Sequence, residues 1–406
     1  MKRHLIGIGG VGMSALAVAL RSIGDEVSGS DRALRSPEAA LSGNFPLLAS
    51  LGIKCFPDDG SGVDSSLEEI IVSTAIEDDN EALLKAKSLG MPVTHRAKAL
   101  SAALGGRKLV AVAGTCGKST VTAMLGHVLR ECGLDPFCVN GANVPGWTGA
   151  VLPGNGDFAV AEVDESDKSL VAFKPYAAII TNASADHYSK EEMDEVFDAF
   201  TGGIPGPVVD GRKETIPPVP CPMPGRHNAQ NAALAVEMAE RLGCNRAGAI
   251  AALQSFRGVE RRLQRYGSRV FDDYAHNPEK LRAMWTALAE AAGGGGICVV
   301  WRPHGYAPLR KMLDALAQMF GETVRRNDRL LLLPVYDAGG TANRSINTGS
   351  LAALLKNIDA SIVPDLDAAY AEMSGAKDKF AIFGVCGARD PGLPFLARRL
   401  AQAIDA

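Results

Sequence analysis

Short apolar runs alternate with helical patterns along the chain, and that alternation predicts parallel β-sheets covered by helices. His4–Ile8 reads as a strand, followed by a glycine turn and a helix over Met13–Leu20. A second strand at Glu26–Ser28 ends in Gly29-Ser30-Asp31, and a later one covers Glu69–Val72. Glycine and charge interrupt the pattern at Leu104–Lys108, where a second strand–turn–helix unit begins with Lys108–Ala113. Further apolar runs follow at Phe158–Ala161 and Ala177–Ile180. Residues 202–224 are rich in Gly and Pro and read as an irregular connection, and a helix is predicted from about Asn228 to Leu242.

Another break falls near Phe256–Val259. Beyond it, strands are predicted at Arg269–Phe271, Ile297–Trp301, Leu330–Leu333 and Phe380–Phe383, with helices at Glu279–Ala292 and Pro308–Phe320. Gly293–Gly296 reads as a flexible turn, and no tandem repeat is visible. The economical reading is three α/β domains: 1–104, 105–257 and 258–406.

Length and composition agree with this picture. A chain of 406 residues exceeds one ordinary core, and 47% hydrophobic with 22% charged residues is a folded composition. A net charge of −4 offers no field for a phosphate backbone, which disfavours nucleic acid as a partner. No stretch approaches the roughly 20 apolar residues that span a bilayer, so no membrane insertion is expected. The N-terminus turns glycine-rich before a signal-like run develops, and a cytoplasmic protein is expected. The eight cysteines stand singly with no C-x-x-C pair, as suits reduced thiols rather than disulfides or zinc.

Two glycine-rich loops carry the chemistry. Gly7-Ile8-Gly9-Gly10-Val11-Gly12 fits G-x-G-x-x-G between a strand and a helix. Without Cβ atoms the backbone can turn tightly and approach a diphosphate at the positive end of the helix. Asp31, at the end of the next strand, is placed to accept hydrogen bonds from ribose hydroxyls. The motif indicates a nucleotide diphosphate without saying which. Its alternative is a bare glycine turn, with Asp31 a solvated turn residue.

The second loop is more specific. Ala113-Gly114-Thr115-Cys116-Gly117-Lys118-Ser119-Thr120 is the short G-x-x-G-K-[ST] form of a phosphate loop. Gly114 and Gly117 let the backbone curl around phosphate oxygens, Lys118 offers a point charge, and Ser119 can place its hydroxyl on Mg²⁺. Glu162, Asp164, Glu165 and Asp167 follow an apolar run, and Asp186-His187 follows another. Carboxylates at strand ends suit Mg²⁺, and His187 is a further metal candidate. Two phosphate loops on separate domains suggest two nucleotide-bearing ligands. A dinucleotide-dependent oxidoreductase would use Gly7–Gly12 and leave Lys118 and Ser119 without a task.

At this point the residues resemble the Mur ligase superfamily. His4 to Gly12 with Met13-Ser14, Ser28–Asp31 and Ser73-Thr74-Ala75-Ile76 look like its first domain. Gly114–Thr120, Glu162–Asp167, Thr181-Asn182 with Asp186-His187, and Gly225-Arg226-His227-Asn228-Ala229-Gln230-Asn231 resemble its ATPase domain. Val259–Gln264, Asp272–Pro278 and Pro303-His304 are similar to its third domain. The resemblance spans nearly the whole chain in the right order, and implies Rossmann-like first and last domains around a central α/β domain of P-loop ATPase type.

It implies an ATP-dependent, ADP-forming ligase of peptidoglycan synthesis, most like the branch that joins L-alanine to UDP-N-acetylmuramate through an acyl phosphate. UDP-sugar contacts would come from Gly9, Gly10, Val11, Gly12, Met13, Ser14, Asp31, Ser73 and Thr74. ATP would take Gly114, Thr115, Gly117, Lys118, Ser119 and Thr120, with Asn228 and Asn231 near adenine. Ser119 and Glu162 would hold one metal, and His187 a second. Arg262 and Asp273 would reach the nucleotide from the third domain, and His276 would lie near the incoming amine. Each has a plainer alternative: Asn228 as a helix cap, Arg262 as a surface charge, His276 as a turn residue.

Three departures stand out. Cys116 replaces the histidine usual in the alanine-adding branch. Gly305 and Pro308 occupy two positions that are basic there, so a guanidinium for the amino acid's carboxylate would have to come from elsewhere, with Arg302 and Arg310 the candidates. The central domain is shortened, with about forty residues between His187 and Arg226-His227-Asn228. These leave open a paralogue that ligates another amino acid or a peptide, and a non-catalytic nucleotide-binding relative.

Overall fold

The computed structural model describes residues 1–41, 43–163, 173–183, 190–337 and 343–405. They form two compact units, Met1–Pro222 with Gln230–Val259, and Met223–Ala229 with Glu260–Ala406.

The first unit holds two sheets. β1 (Lys2–Ile6), α1 (Val11–Ser22), β2 (Glu26–Asp31), α2 (Phe45–Ser50) and β3 (Lys54–Pro57) open it. β4 (Glu69–Val72), α3 (Glu81–Ser88), β5 (Val93–His95) and α4 (Arg96–Ala103) complete the first layer. Its strand order is β3-β2-β1-β4-β5, with every pair parallel. The order reverses at β1, so the carboxyl ends of β1 and β4 border a switch-point crevice, where such sheets bind ligands.

β6 (Lys108–Ala113) and α5 (Lys118–Glu131) begin the second sheet. β7 (Phe137–Val139), β8 (Val151–Leu152), β9 (Phe158–Glu162) and β10 (Ala177–Ile180) follow. α6 (Lys190–Thr201), β11 (Val208–Asp210), α7 (Arg226–Arg241) and α8 (Arg246–Leu253) come last. The order is β11-β10-β6-β9-β7-β8, antiparallel only between β7 and β8. Leu109–Ala113 are all buried, as a central strand covered on both faces requires. Met13–Leu20 of α1 are likewise buried throughout, because α1 packs on both α4 and the β7–β8 pair. The two sheets therefore share one apolar core.

The second unit carries a third sheet. β12 (Gln264–Tyr266), β13 (Val270–Asp273), α9 (Pro278–Ala291), β14 (Ile297–Trp301) and α10 (Tyr306–Thr323) lead into β15 (Arg329–Leu332). α11 (Thr348–Ala352), β16 (Asp359–Ile362), α12 (Leu366–Gly375), β17 (Ile382–Cys386) and α13 (Gly392–Asp405) end the chain. The order is β12-β13-β17-β14-β15-β16, with only β12 antiparallel to its neighbour. Each face has its own core: Trp285, Trp301 and Phe320 on one, and Leu393, Leu396, Leu400 and Ile404 on the other.

The sequence reading named no strand at β3, β5, β7, β8, β12 or β16, and other elements differ from it at their bounds. The Gly/Pro-rich stretch contains β11, a three-residue edge strand too short for a periodic signal. α7 starts at Arg226 rather than Asn228, since Arg226 and His227 carry no apolar periodicity. The last strand begins at Ile382 and continues through Gly384 to Cys386, where glycine hides the apolar run. Among the described residues no helix is long and apolar enough to cross a membrane.

Candidate functional site

The first glycine loop lies at the switch point. Gly7 has a left-handed φ of 81°, and its amide donates to Ser30 O at 2.7 Å, tying the end of β1 to β2. Asp31 fastens the loop: one carboxylate oxygen accepts from Gly9 N at 2.9 Å and the other from Ala33 N at 3.0 Å. The expected ribose acceptor is thus first of all a brace for the glycine turn. Asn44 adds a bond to Gly9 O at 3.1 Å, and a methyl at Gly9 would stand 2.6 Å from Phe45. No side chain caps α1 and its first turn holds no acid, which leaves its positive end to an anion.

Met13 and Ser14 are buried, and the Ser14 hydroxyl donates to Val11 O at 3.0 Å. Ser73 is half-buried and Thr74 exposed, both just past β4. Gly7, Asp31, Arg35, Ile76 and Glu81 help to line a cavity of about 350 Å³ at these strand ends. Sequence reading missed Arg96, the first residue of α4. A methyl at Gly12 would collide with its guanidinium, which has no hydrogen bond or ion pair among the described residues.

The second loop follows β6, the middle strand of its sheet. Gly114 and Gly117 adopt φ of 126° and 86°, and Gly117 precedes α5 with no side-chain cap. A methyl on Gly114 would strike the Thr181 hydroxyl; one on Gly117 would lie 2.6 Å from Asn231 Oδ1. The neighbouring strand end latches the loop. Asn182 Oδ1 accepts from Thr115 Oγ1 at 2.6 Å and Cys116 N at 3.0 Å, while its Nδ2 donates to Cys116 O at 3.0 Å. Thr181 Oγ1 also donates to Cys116 O, at 2.6 Å. The latch grips only the backbone of Cys116 and is indifferent to the side chain there. Ser119 and Thr120 are buried in the first turn of α5.

Glu162 ends β9 on the other side of β6, paired in register with Val112. Its carboxylate accepts from Gly141 N at 2.8 Å. Asp164, Glu165, Asp167, Asp186 and His187 lie outside the described residues, and among those described no group of three or more His, Cys, Asp or Glu is gathered for a metal. Ser119 and Glu162 nevertheless fit Mg²⁺, which takes hard oxygen donors, few carboxylates, and water or phosphate for the rest. Along α7, Asn231 reaches the phosphate loop, whereas Asn228 is buried and donates to Pro224 O at 2.7 Å.

In the second unit, Arg262 lies over the Tyr274 ring at 5.4 Å, between Arg261 and Leu263, which hold left-handed φ of 57° and 46°. Asp273 accepts from Leu263 N and Ala275 N, both at 2.7 Å, and burial raises its pKa. His276 stacks edge-on against His304 with centroids 4.9 Å apart. Its Nδ1 bonds Tyr274 O at 3.0 Å, which leaves Nε2 as the acceptor of a neutral ring. Burial lowers its pKa to about 4. Arg302 bonds Asp390 at 2.6 Å and Pro334 O, and Arg310 bonds Asn343 O and Ser345, so both guanidiniums are committed within the protein.

Comparison with known proteins covers the same residues. The Mur ligase family, catalytic domain, matches residues 2–108; the Mur ligase middle domain matches 112–202; the Mur ligase, glutamate ligase domain, matches 260–389. A UDP-N-acetylmuramate--L-alanine ligase of Rubrobacter xylanophilus is 36% identical over 391 residues, covering 84% of this chain and 85% of the relative. That of Paenarthrobacter aurescens is 34% identical over 393 residues, covering 82% and 83%. The crystal structure of the UDP-N-acetylmuramate-alanine ligase from Thermotoga maritima superposes with a TM-score of 0.79 at 25% identity, covering 99% of this chain and 98% of that one. The three-domain α/β fold is common to both. A murein peptide ligase from Psychrobacter arcticus shares the fold at 19% identity and a TM-score of 0.65.

Proposed function

The chain belongs to the Mur ligase family, and from that premise we propose that it is an ATP-dependent ligase joining L-alanine to UDP-N-acetylmuramate in peptidoglycan synthesis. The observation that carries this reading is the pair of phosphate-type loops in one unit, each at the carboxyl edge of its own parallel sheet. UDP-sugar is assigned to residues 1–104, ATP to 105–257 and the amine to 258–406.

The sugar's carboxylate oxygen attacks the γ-phosphorus of ATP, giving an acyl phosphate and ADP. The amine then attacks the acyl carbon, loses a proton, and inorganic phosphate leaves. Lys118 and the amides opening α5 offset charge on the transferring phosphoryl group. Ser119 and Glu162 would hold Mg²⁺, which neutralises phosphate charge when bound. His276 Nε2 is the acceptor for the amine's proton, and Arg262 and Asp273 serve the nucleotide.

A second reading is a paralogue that takes another amino acid or a peptide. Gly305 and Pro308, with Arg302 and Arg310 both committed, favour it. Incubation with ATP, Mg²⁺, UDP-N-acetylmuramate and each amino acid in turn, reading released phosphate, tests both. L-alanine alone supporting release is expected. Nucleotide binding with no amine-dependent phosphate would instead make the chain a non-catalytic relative. Lys118→Ala should abolish release while UDP-sugar binding persists; loss of both would mean the two nucleotide sites are not separate.

A further inference from the structure

β17 lies between β13 and β14 in the third sheet. The loop after β13 carries His276, and the loop after β14 carries His304. The turn after β17, Gly387–Asp390, therefore stands between the two histidine loops and is bonded to both. Gly387 N donates to Asp273 O at 3.1 Å, and the Cys386 thiol donates to Ala275 O at 3.2 Å, which fixes the His276 side. Arg302 N donates to Cys386 O at 3.0 Å and its guanidinium bonds Asp390, which fixes the His304 side. Asp390 is buried and also accepts from Gly392 N at 2.8 Å.

Arg389 is the exposed residue of this pinned turn. Its φ of 66° is left-handed, a conformation that side-chain-bearing residues disfavour and that recurs at functional sites. The other arginines near this edge are in use. Arg261 bridges Asp272 and Gly387 O, Arg262 lies over Tyr274, Arg302 is tied to Asp390, and Arg310 to Asn343 and Ser345. Arg389 has no hydrogen bond or ion pair among the described residues. Its charge also bears on His304, whose pKa is lowered by burial first and by Arg389 next.

We propose that Arg389 is the specificity-determining residue that receives the α-carboxylate of the incoming amino acid, in the place left open by Gly305 and Pro308. The proposal rests on the ligase reading above. A guanidinium presents paired N–H donors that match a carboxylate, and the neighbouring neutral His276 would face the amine of the same molecule.

The test compares L-alanine with L-alaninamide, which keeps the amine and removes the carboxylate charge. The unsubstituted enzyme should strongly prefer L-alanine. Arg389→Gly, which suits the left-handed backbone, should raise KM for L-alanine roughly 10- to 100-fold. It should leave KM for ATP and for the UDP-sugar within about twofold and abolish the preference over the amide, with Arg389→Lys restoring part of it. An Arg389→Gly enzyme that keeps both its KM for L-alanine and its preference overturns the assignment. Absence of L-alanine-dependent phosphate release from the unsubstituted enzyme would overturn the reading as an L-alanine ligase, and Arg389's role with it.

Discussion

The side-chain amide of Asn182 holds both ends of one peptide residue, accepting the N–H of Cys116 at 3.0 Å and donating to its carbonyl at 3.0 Å. β10 thereby presets the shape of the phosphate loop that follows β6. Removing the amide takes one bond each from the Cys116 N–H, the Cys116 carbonyl and the Thr115 hydroxyl, with Thr181 still donating to the carbonyl, a loss of about 1–3 kcal/mol where the deprived groups stay dry. Asn182→Ala is expected to raise KM for ATP roughly tenfold or more. Asn182→Asp should be worse, since its second oxygen faces the Cys116 carbonyl and adds negative charge beside the phosphates. KM for the UDP-sugar should hold in both. Equal loss for both nucleotides would reduce Asn182 to a general structural residue.

Gly141 and Glu162 are fitted to each other in the same way. The Gly141 amide orients the carboxylate at 2.8 Å, and a methyl at Gly141 would collide with both carboxylate oxygens. Gly141 does not have a left-handed φ, so alanine suits its backbone and the damage falls on Glu162. Gly141→Ala should therefore lower kcat by roughly tenfold or more and raise the Mg²⁺ concentration needed for half-maximal rate. An unchanged Mg²⁺ dependence would remove Glu162 from the metal site.

These two relationships mark what was readable from sequence alone. The glycine loops, Lys118, Ser119 and the strand-end acid Glu162 were legible because local spacing defines them. The strand–helix alternation showed the inner strands of all three sheets for the same reason, and left out the short outer ones, β3, β5, β7, β8, β12 and β16. Asn182 and Gly141 act on residues 66 and 21 positions away, and only sheet order brings them there. Asp31 could be placed at the end of β2 from sequence, but its bond to Gly9 is invisible until β1 and β2 lie side by side. β11 was hidden among Gly and Pro because three residues carry no period.

Arg96 gives the first glycine loop a cation that no motif supplies. Its guanidinium rests against Gly12, and β5 places it there, since α4 begins directly after that strand. A diphosphate at the positive end of α1 would meet it. Arg96→Ala should raise KM for the UDP-sugar roughly tenfold, with KM for ATP unchanged and Arg96→Lys intermediate. Kinetics with varied UDP-sugar at saturating ATP decide this, and an unaltered KM would return Arg96 to the role of a packing residue.

Acid should destabilise the folded chain through its buried histidines. His4 is fully buried between the Ser28 and Ser30 hydroxyls, at 2.9 and 3.2 Å, and burial lowers its pKa to about 4. His276 is lowered to about 4 by burial and then by Lys280. Unfolded histidine titrates near 6.5, so between about 4 and 6.5 the unfolded chain binds more protons than the folded one. Stability from these groups is complete above that window and is lost as pH falls through it, at up to about 1.4 kcal/mol per pH unit for each. Tm should accordingly decline from pH 7 to 4.5, and His4→Gln, which keeps polar atoms between the two serines without a titrating ring, should flatten the slope. Because His276 is already neutral at pH 6, a fall in kcat between pH 7 and 6 would have to arise from another group. A Tm independent of pH across this range, or a slope unaffected by His4→Gln, would mean that the ring of His4 accepts its proton without leaving the fold.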